Sequence, residues 1–262
     1  YAYKDYGTES FKSSTLVIDH RGNAVLAPEN TIPAFEKAIE LGADYVELDV
    51  QESKDGVIVV AHDANFSRTC GYDGNVWEMD YAQIATLDAG KKFNESFAGT
   101  KVPTLDEVIK LCKGKIKLLI ELKTNGHEVD LAGRTLKVIN DNDALDQVMI
   151  HSLSYKQLED VKKIEPKVKC GYIMTIALGN YENLSAADFF TIETTTATSD
   201  YVESIHKAGK FIFAWTVDTS DDIEKVLNAQ VDGIITNDIS SVKSAIAEKQ
   251  SDFIETYKYF LQ

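Results

Sequence analysis

The chain has 262 residues, and its 27 Lys and Arg against 42 Asp and Glu give a formal net charge of −15 at pH 7. This charge makes a nucleic-acid backbone an unfavourable partner and repels anionic bilayers at long range. No apolar run reaches the ~20 residues needed to cross a bilayer. The three widely spaced cysteines contain no CxxC pair, which favours unreactive thiols over a metal cluster. The length suits one α/β barrel domain, which takes about 250 residues.

Strands and helices alternate from the first apolar run onwards. Residues 16–20 predict a first strand, and residues 31–41 predict a helix that ends at Gly42. Residues 45–50 predict the second strand. This alternation is typical of parallel sheets with helical crossovers.

The next apolar run, at residues 57–62, breaks that alternation. It follows the second strand after only six residues, and a parallel crossover needs a dozen or more. We therefore predict an antiparallel hairpin that turns at Asp55-Gly56. The hairpin should fold His62 back beside Glu47.

The remaining elements complete a barrel. Residues 64–104 lack a clean period and predict an insertion over the barrel mouth. Helices are predicted at 105–112, 131–140, 155–164, 201–208, 223–227 and 242–248, and strands at 116–122, 147–151, 168–174, 189–192, 211–217 and 233–236. With the hairpin arm set aside, eight strands remain. The predicted fold is an α/β (β/α)8 TIM barrel with a small insertion after a β-hairpin that follows strand 2.

Charged residues stand at the ends of several predicted strands. Glu47 and Asp49 share one strand face, as do Glu121 and Lys123, and His20 ends the first strand. Buried carboxylates are costly unless they are paired or bind a cation. Because catalytic groups of such barrels lie at the C-terminal strand ends, these residues predict an active site there.

The order of short motifs resembles the glycerophosphodiester phosphodiesterase family over roughly residues 16 to 240. The matching motifs are His20-Arg21-Gly22, Pro28-Glu29-Asn30-Thr31, Glu47-Leu48-Asp49-Val50, Asp55-Gly56, His62-Asp63, Arg68-Thr69, Leu87-Asp88-Ala89-Gly90, Val102-Pro103-Thr104-Leu105-Asp106-Glu107, Glu121-Leu122-Lys123, Trp215-Thr216-Val217 and Asp232-Gly233-Ile234-Ile235-Thr236. Each motif alone is weak, but their order makes chance an unlikely explanation.

The resemblance implies a metal-dependent hydrolase that cleaves a glycerophosphodiester to sn-glycerol 3-phosphate and an alcohol. It implies roles for the following residues: one divalent cation at Glu47, Asp49 and Glu121, acid and base at His20 and His62, and substrate contacts at Arg21, Lys123, Glu29 and Trp215. An oxygen-only ligand set favours Ca²⁺ or Mg²⁺ over zinc. Either water or the neighbouring glycerol hydroxyl can be the attacking nucleophile.

Several candidates also have structural interpretations. Glu29 can cap a helix or brace Arg21, Asn30 can cap the first helix as readily as contact substrate, and Trp215 can pack in the core as readily as wall the alcohol group. His127, His151 and His206 are interpreted as structural. His151 ends a strand and could border the pocket, but it is left out of the predicted site.

Two other functions remain open. The same barrel could act on a lysophospholipid or sphingolipid if Phe66, Trp77, Phe93 and Phe97 of the insertion formed an exposed apolar track. A non-enzymatic binding domain is the third possibility, but every catalytic motif residue is present.

The predicted domain boundaries are a tether at 1–14, the barrel at 15–248 and a C-terminal tail at 249–262. The chain begins at Tyr1, without an initiator methionine or a signal-like apolar core, which predicts a processed product or an excised piece. Bacterial family members that it is similar to carry the catalytic domain after a multi-pass membrane region. The resemblance therefore implies an extracellular or cell-surface domain with a membrane tether outside this chain, and a cytoplasmic location is the alternative.

Overall fold

Eight parallel strands form a closed barrel in the computed structural model, which describes residues 15–175 and 183–260, with side chains up to residue 249. Together with the antiparallel hairpin arm β3, the strands are β1 (Leu16–Asp19), β2 (Tyr45–Glu52), β3 (Ile58–Val60), β4 (Lys117–Leu122), β5 (Val148–Ser152), β6 (Lys169–Met174), β7 (Phe189–Glu193), β8 (Phe211–Trp215) and β9 (Gly233–Thr236). They pair in the order β1-β9-β8-β7-β6-β5-β4-β2, and β1 also pairs with β2. This closure confirms the predicted (β/α)8 barrel.

Helices alternate with the barrel strands along the chain, and two short ones lie in the insertion after β3. They are α1 (Ile32–Leu41), α2 (Ser67–Cys70), α3 (Tyr81–Ile84), α4 (Leu105–Cys112), α5 (Leu131–Asp141), α6 (Tyr155–Ile164), α7 (Ser199–Lys207), α8 (Ser220–Asn228) and α9 (Ile239–Phe260). Local sequence fixes their ends: Thr104 and Glu107 form a reciprocal capping box at the start of α4, and Gly42 ends α1 with φ of 69°. The predicted final helix is longer than expected, because α9 continues to Phe260 into the segment predicted as a tail.

The β2–β3 hairpin is antiparallel, as predicted. Val50 lies opposite Val60 and Glu52 opposite Ile58, and Gly56 turns the chain with φ of 81°. The Ala61 N–H then donates to the Asp49 carbonyl at 3.0 Å. The hairpin therefore folds His62 back beside the stretch of β2 that carries Glu47 and Asp49.

The insertion between β3 and α4 has its own small core. Buried side chains of Phe66, Val76, Met79, Ile84 and Val102 pack together there against Val59 of β3. Phe66 cannot contribute to the exposed apolar track that a lipid substrate would need, since only 1% of Phe66 is exposed. Its ring is part of the core of the insertion.

Apolar side chains close the barrel interior below its mouth. This layer, called here the barrel floor, consists of Ile18, Leu119, Met149, Phe189, Phe213 and Ile235. Two glycines make room for its aromatic rings: a Cβ on Gly171 would lie 2.0 Å from the Phe189 ring, and one on Gly233 would lie 2.7 Å from the Phe213 ring. The interior is a packed core rather than a pore.

The three cysteines are free thiols, and two of them are buried. Cys70, Cys112 and Cys170 are unpaired, and burial raises the pKa of the Cys112 and Cys170 thiols to about 12. Such thiols are unreactive at neutral pH.

Within the described part of the chain, no helix combines the length and the apolar character that a membrane crossing requires.

Candidate active site

Strand register places the charged residues together at the barrel mouth. Asp49 of β2 lies opposite Glu121 of β4, and Glu121 lies opposite His151 of β5. Side chains two apart share a strand face, so Glu47 projects on the same side as Asp49. The C-terminal ends of three adjacent strands thus bring four polar side chains to one place.

Glu47, Glu121 and His151 form the tightest group. Each offers a ligand atom, and these atoms lie within 4.8 Å of one another. His151 Nε2 is 3.8 Å from Glu47 Oε1 and is buried, with no hydrogen-bond partner among the described residues. Burial, and next the negative charge of Asp49, raises the pKa of both glutamates. Burial also lowers the pKa of His151 to about 4, so its imidazole is neutral at neutral pH.

Asp49 faces cations of the protein instead. Asn30 Nδ2 donates to its Oδ2 at 2.8 Å, Lys123 Nζ lies 3.6 Å from Oδ1, and Arg21 Nε lies 3.5 Å from Oδ2. Burial alone would raise the pKa of Asp49, but the positive charges of Lys123, His62 and Arg21 outweigh it and lower that pKa. Asp49 is therefore an anion that orders the positive side of the mouth.

Arg21 owes its position to an unusual backbone. Its φ is 57°, and Gly22 follows with φ of 71°, where a Cβ would approach Ala34 to 2.8 Å. This turn aims the Arg21 N–H at Glu47 Oε2, at 2.9 Å, and its guanidinium at Glu29 Oε1, at 3.1 Å. The interpretation of Glu29 as a brace for Arg21 agrees with this contact.

His62 belongs to an ionic chain that reaches into the insertion. Its Nδ1 is 2.7 Å from Asp63 Oδ1, and Arg68 Nε donates to Asp63 Oδ2 at 2.5 Å. The two Nη atoms of Arg68 donate to both oxygens of Glu29, each at 2.7 Å. One guanidinium of the insertion therefore joins the His62 side of the mouth to the Arg21 side.

Gln51 fixes the backbone of the same segment. This side chain is only 1% exposed, and its Nε2 lies within 3.2 Å of the carbonyl oxygens of Ala61, His62 and Asp63. Asn125 Nδ2 donates to Gln51 Oε1 at 3.1 Å. The His62 segment is thus held by a buried amide as well as by its ions.

His20 and Trp215 complete the mouth. His20 Nδ1 is 3.0 Å from Asn237 Oδ1. Trp215 packs partly against the barrel floor, while its Nε1 is buried with no hydrogen-bond partner among the described residues. Both interpretations of Trp215, as core and as wall, therefore fit its position.

Comparison with known proteins points to one family. The family model described as the Glycerophosphoryl diester phosphodiesterase family matches residues 20–241. A glycerophosphodiester phosphodiesterase of Caldanaerobacter subterraneus is 41% identical over 237 residues, covering 86% of this chain and 94% of the relative. One of Bacillus subtilis is 31% identical, covering 85% and 83%.

The chain belongs to the glycerophosphoryl diester phosphodiesterase family. It is therefore an enzyme, a hydrolase of phosphoric diesters, as its motifs predict.

Two solved structures support the same assignment. An Oleispira antarctica phosphodiesterase in complex with the product sn-glycerol-3-phosphate is 27% identical, with a TM-score of 0.85, and the match covers 91% of this chain and 99% of that one. The glycerophosphodiester phosphodiesterase of Agrobacterium tumefaciens is 29% identical, with a TM-score of 0.79 and coverage of 88% and 100%. Both align along almost the whole barrel.

The cluster fits a divalent cation, although its membership differs from the predicted set. Glu47 and Glu121 come together as expected, but the third member is His151, and Asp49 stays a prediction as a ligand. A neutral imidazole with a free, buried Nε2 beside two carboxylates is a donor set typical of metal sites. The imidazole nitrogen makes Zn²⁺ a further candidate beside Ca²⁺ and Mg²⁺.

Sequence reasoning missed two residues of the site. His151 is absent from the predicted site, although strand periodicity puts it on the same face as Met149 of the barrel floor. Asn237 carried no motif. Its contact with His20 depends on barrel closure, which joins residues more than 200 positions apart.

Proposed function

We propose that this chain hydrolyses glycerophosphodiesters to sn-glycerol 3-phosphate and an alcohol, with one divalent cation, Ca²⁺ or Mg²⁺, and with His20 and His62 as acid and base. The observation that carries the proposal is the cluster of Glu47, Glu121 and His151 next to Lys123, whose Nζ is 3.0 Å from Glu121 Oε1. A cation-binding group beside protein cations suits an anionic diester. The product in the Oleispira structure supports the choice of substrate.

The positive side chains would bind the phosphate. Lys123 is a point charge, and its pKa is raised because Glu121 and Asp49 outweigh the effect of burial, which alone would lower it. Arg21 offers a planar fork that can donate two hydrogen bonds to phosphate oxygens. These two groups allow an anion to enter a chain of net charge −15.

The histidines would move the protons. Asp63 can only accept a hydrogen bond when it is ionised, so His62 donates from Nδ1 and keeps Nε2 for the reaction. His20 likewise faces an oxygen with its Nδ1. One imidazole can take the proton of the attacking water or glycerol hydroxyl while the other gives a proton to the leaving oxygen. A divalent cation held at Glu47 and Glu121, when bound, would polarise the phosphoryl oxygens.

The insertion gives little support to a lysolipid or sphingolipid substrate. Phe66 is core, and Trp77 stacks on His127 with ring centroids 4.3 Å apart. Phe93 is 43% exposed and contacts Phe97 edge to face. One exposed ring packed on a half-buried one is a small apolar surface, which favours glycerol phosphate as the recognised group.

Activity assays with matched substrates test this function. Purified protein should release sn-glycerol 3-phosphate from glycerophosphocholine, lose activity with EDTA and regain it with Ca²⁺ or Mg²⁺. Lysophosphatidylcholine and bis(p-nitrophenyl) phosphate should be poorer substrates. Faster turnover of the lysolipid would overturn the substrate assignment, and full activity after metal removal would overturn the role of the cation.

Variants test the acid and base. His20→Ala and His62→Ala should each lower kcat by roughly 10²–10⁴, with metal binding retained. The matched control is His206→Ala, because His206 lies on α7, where its Nε2 contacts Asp232 at 2.9 Å. Near-full activity of either mouth variant would contradict the two-histidine mechanism.

A further inference from the structure

Barrel closure places an amide next to His20. Asp19 of β1 pairs with Thr236 of β9, so the following residues, His20 and Asn237, emerge side by side. The His20 N–H donates to the Thr236 carbonyl at 2.9 Å, which fixes this backbone relation. The Asn237 amide then lies against the His20 imidazole, with Oδ1 3.0 Å from Nδ1.

Asp218, in the loop after β8, determines which end of that amide faces His20. Asn237 Nδ2 lies 2.7 Å from Asp218 Oδ2. A carboxylate only accepts hydrogen bonds, so the NH₂ end of the amide must point to Asp218 and its oxygen to His20. Amide oxygen also only accepts, and the contacting His20 nitrogen must therefore donate. The chain of obligatory donors and acceptors fixes the proton on Nδ1.

We propose that Asn237 and Asp218 are a positioning pair that holds His20 in the Nδ1–H tautomer and keeps the lone pair of its neutral form on Nε2. The catalytic consequence rests on the proposed function, because His20 acts there through Nε2. Asn237 and Asp218 act through His20 and need not touch substrate. The pair plays for His20 the part that Asp63 plays for His62.

A purely structural role of Asp218 does not account for all its contacts. Its Oδ1 accepts from the Asn237 N–H at 2.8 Å and from Thr236 Oγ1 at 3.2 Å, which is enough to close the loop. Its Oδ2 accepts a hydrogen bond from the side-chain amide of Asn237. Asp238 nearby is different, since both its oxygens contact Ser241 at the start of α9. Asp238 therefore offers a matched control.

The direct test is the tautomer of His20. A ¹⁵N–¹H correlation spectrum of the full chain at about pH 8, where an ordinary imidazole is neutral, separates Nδ1–H from Nε2–H. The His20 signals are assigned by their loss in His20→Gln. The wild-type protein should show Nδ1–H, and Asn237→Ala should move a substantial fraction to Nε2–H. The Asp238→Asn spectrum should match wild type. An unchanged tautomer in Asn237→Ala would overturn the proposal.

Exchanging the side chains of residues 218 and 237 adds a kinetic rescue experiment. Asp218→Asn and Asn237→Asp should each lower kcat by roughly 10- to 100-fold with KM changed less than about threefold, since positioning rather than substrate binding is lost. The double variant restores one carboxylate and one amide and should recover most of the loss. Equal defects in the single and double variants, or an equal defect in Asp238→Asn, would overturn the proposal.

The two readouts separate this inference from the proposed function. The tautomer spectrum needs no substrate, so it decides the positioning claim even for a protein that fails to cleave glycerophosphocholine. Failure of the wild-type protein in that assay would contradict the proposed function alone.

Discussion

Replacing Gln51 by methionine should both destabilise the protein and slow the reaction that it catalyses. Methionine keeps the length and flexibility of the side chain but removes every polar atom. Gln51 Nε2 serves the carbonyls of residues 61–63, and its Oε1 accepts from Asn125. Because the site is 1% exposed, water cannot readily replace these partners.

The size of the effect follows from the hydrogen bonds lost. An amide NH₂ donates two hydrogen bonds, so one of the three carbonyl contacts shares a proton, and the amide oxygen adds one accepted bond. At about 1 kcal/mol each, the loss is about 3 kcal/mol of unfolding free energy. For a chain of this size that corresponds to a fall in Tm of roughly 6–12 °C. The freed His62 segment should lower kcat by roughly 10-fold or more.

Thermal unfolding and steady-state kinetics measure both effects. The matched control is Gln157→Met on α6, because Gln157 Oε1 is buried without a hydrogen-bond partner among the described residues. That variant should leave Tm and kcat close to wild type. A Gln51→Met protein with unchanged Tm would refute the role of Gln51 in stability, and one with normal kcat would refute its role in ordering His62.

Three further outcomes are expected. Arg68→Lys should lower kcat, because an ammonium cannot contact two carboxylates in the bidentate geometry of a guanidinium. Lys92→Arg is the control and should leave kcat unchanged, and steady-state assays of both variants check this. His151→Gln should weaken binding of the activating cation by at least roughly 10-fold, measured by calorimetry, and unchanged affinity would remove His151 from the ligand set. Burial alone would raise the pKa of Asp188, but hydrogen bonds from Lys162 and the backbone lower it, so its stabilisation is present at neutral pH and is lost as pH falls through its folded-state value. Asp188→Asn should therefore show a smaller loss of unfolding free energy than wild type between about pH 7 and pH 3.

Local and short-range features of the site were predictable from the sequence. Asp55-Gly56 after a strand, with too few residues for a crossover, predicts the hairpin that delivers His62. The alternation of Glu47 with Asp49, and of Glu121 with Lys123, predicts which side chains share a face. Each of these inferences uses residues a few positions apart, where backbone geometry alone fixes the relation.

Features that depend on barrel closure were not predictable in the same way. His151 joins Glu47 because β5 lies beside β4, and a single histidine at a strand end does not reveal which carboxylate it will meet. The burial of Phe66 is not predictable, because an irregular insertion gives no period from which to tell a core ring from a surface ring. The pairing of Asn237 with His20 requires the register of β1 against β9.

The barrel floor limits how substrate and products reach and leave the active site. Since Phe189 and Phe213 occupy the space beside Gly171 and Gly233, the interior is sealed just below the charged residues. Substrate, water and both products must therefore enter and leave through the barrel mouth. A phosphate-bearing product that stays bound at the mouth blocks the next substrate. The rate of product release therefore sets an upper limit on turnover, however fast the bond is broken.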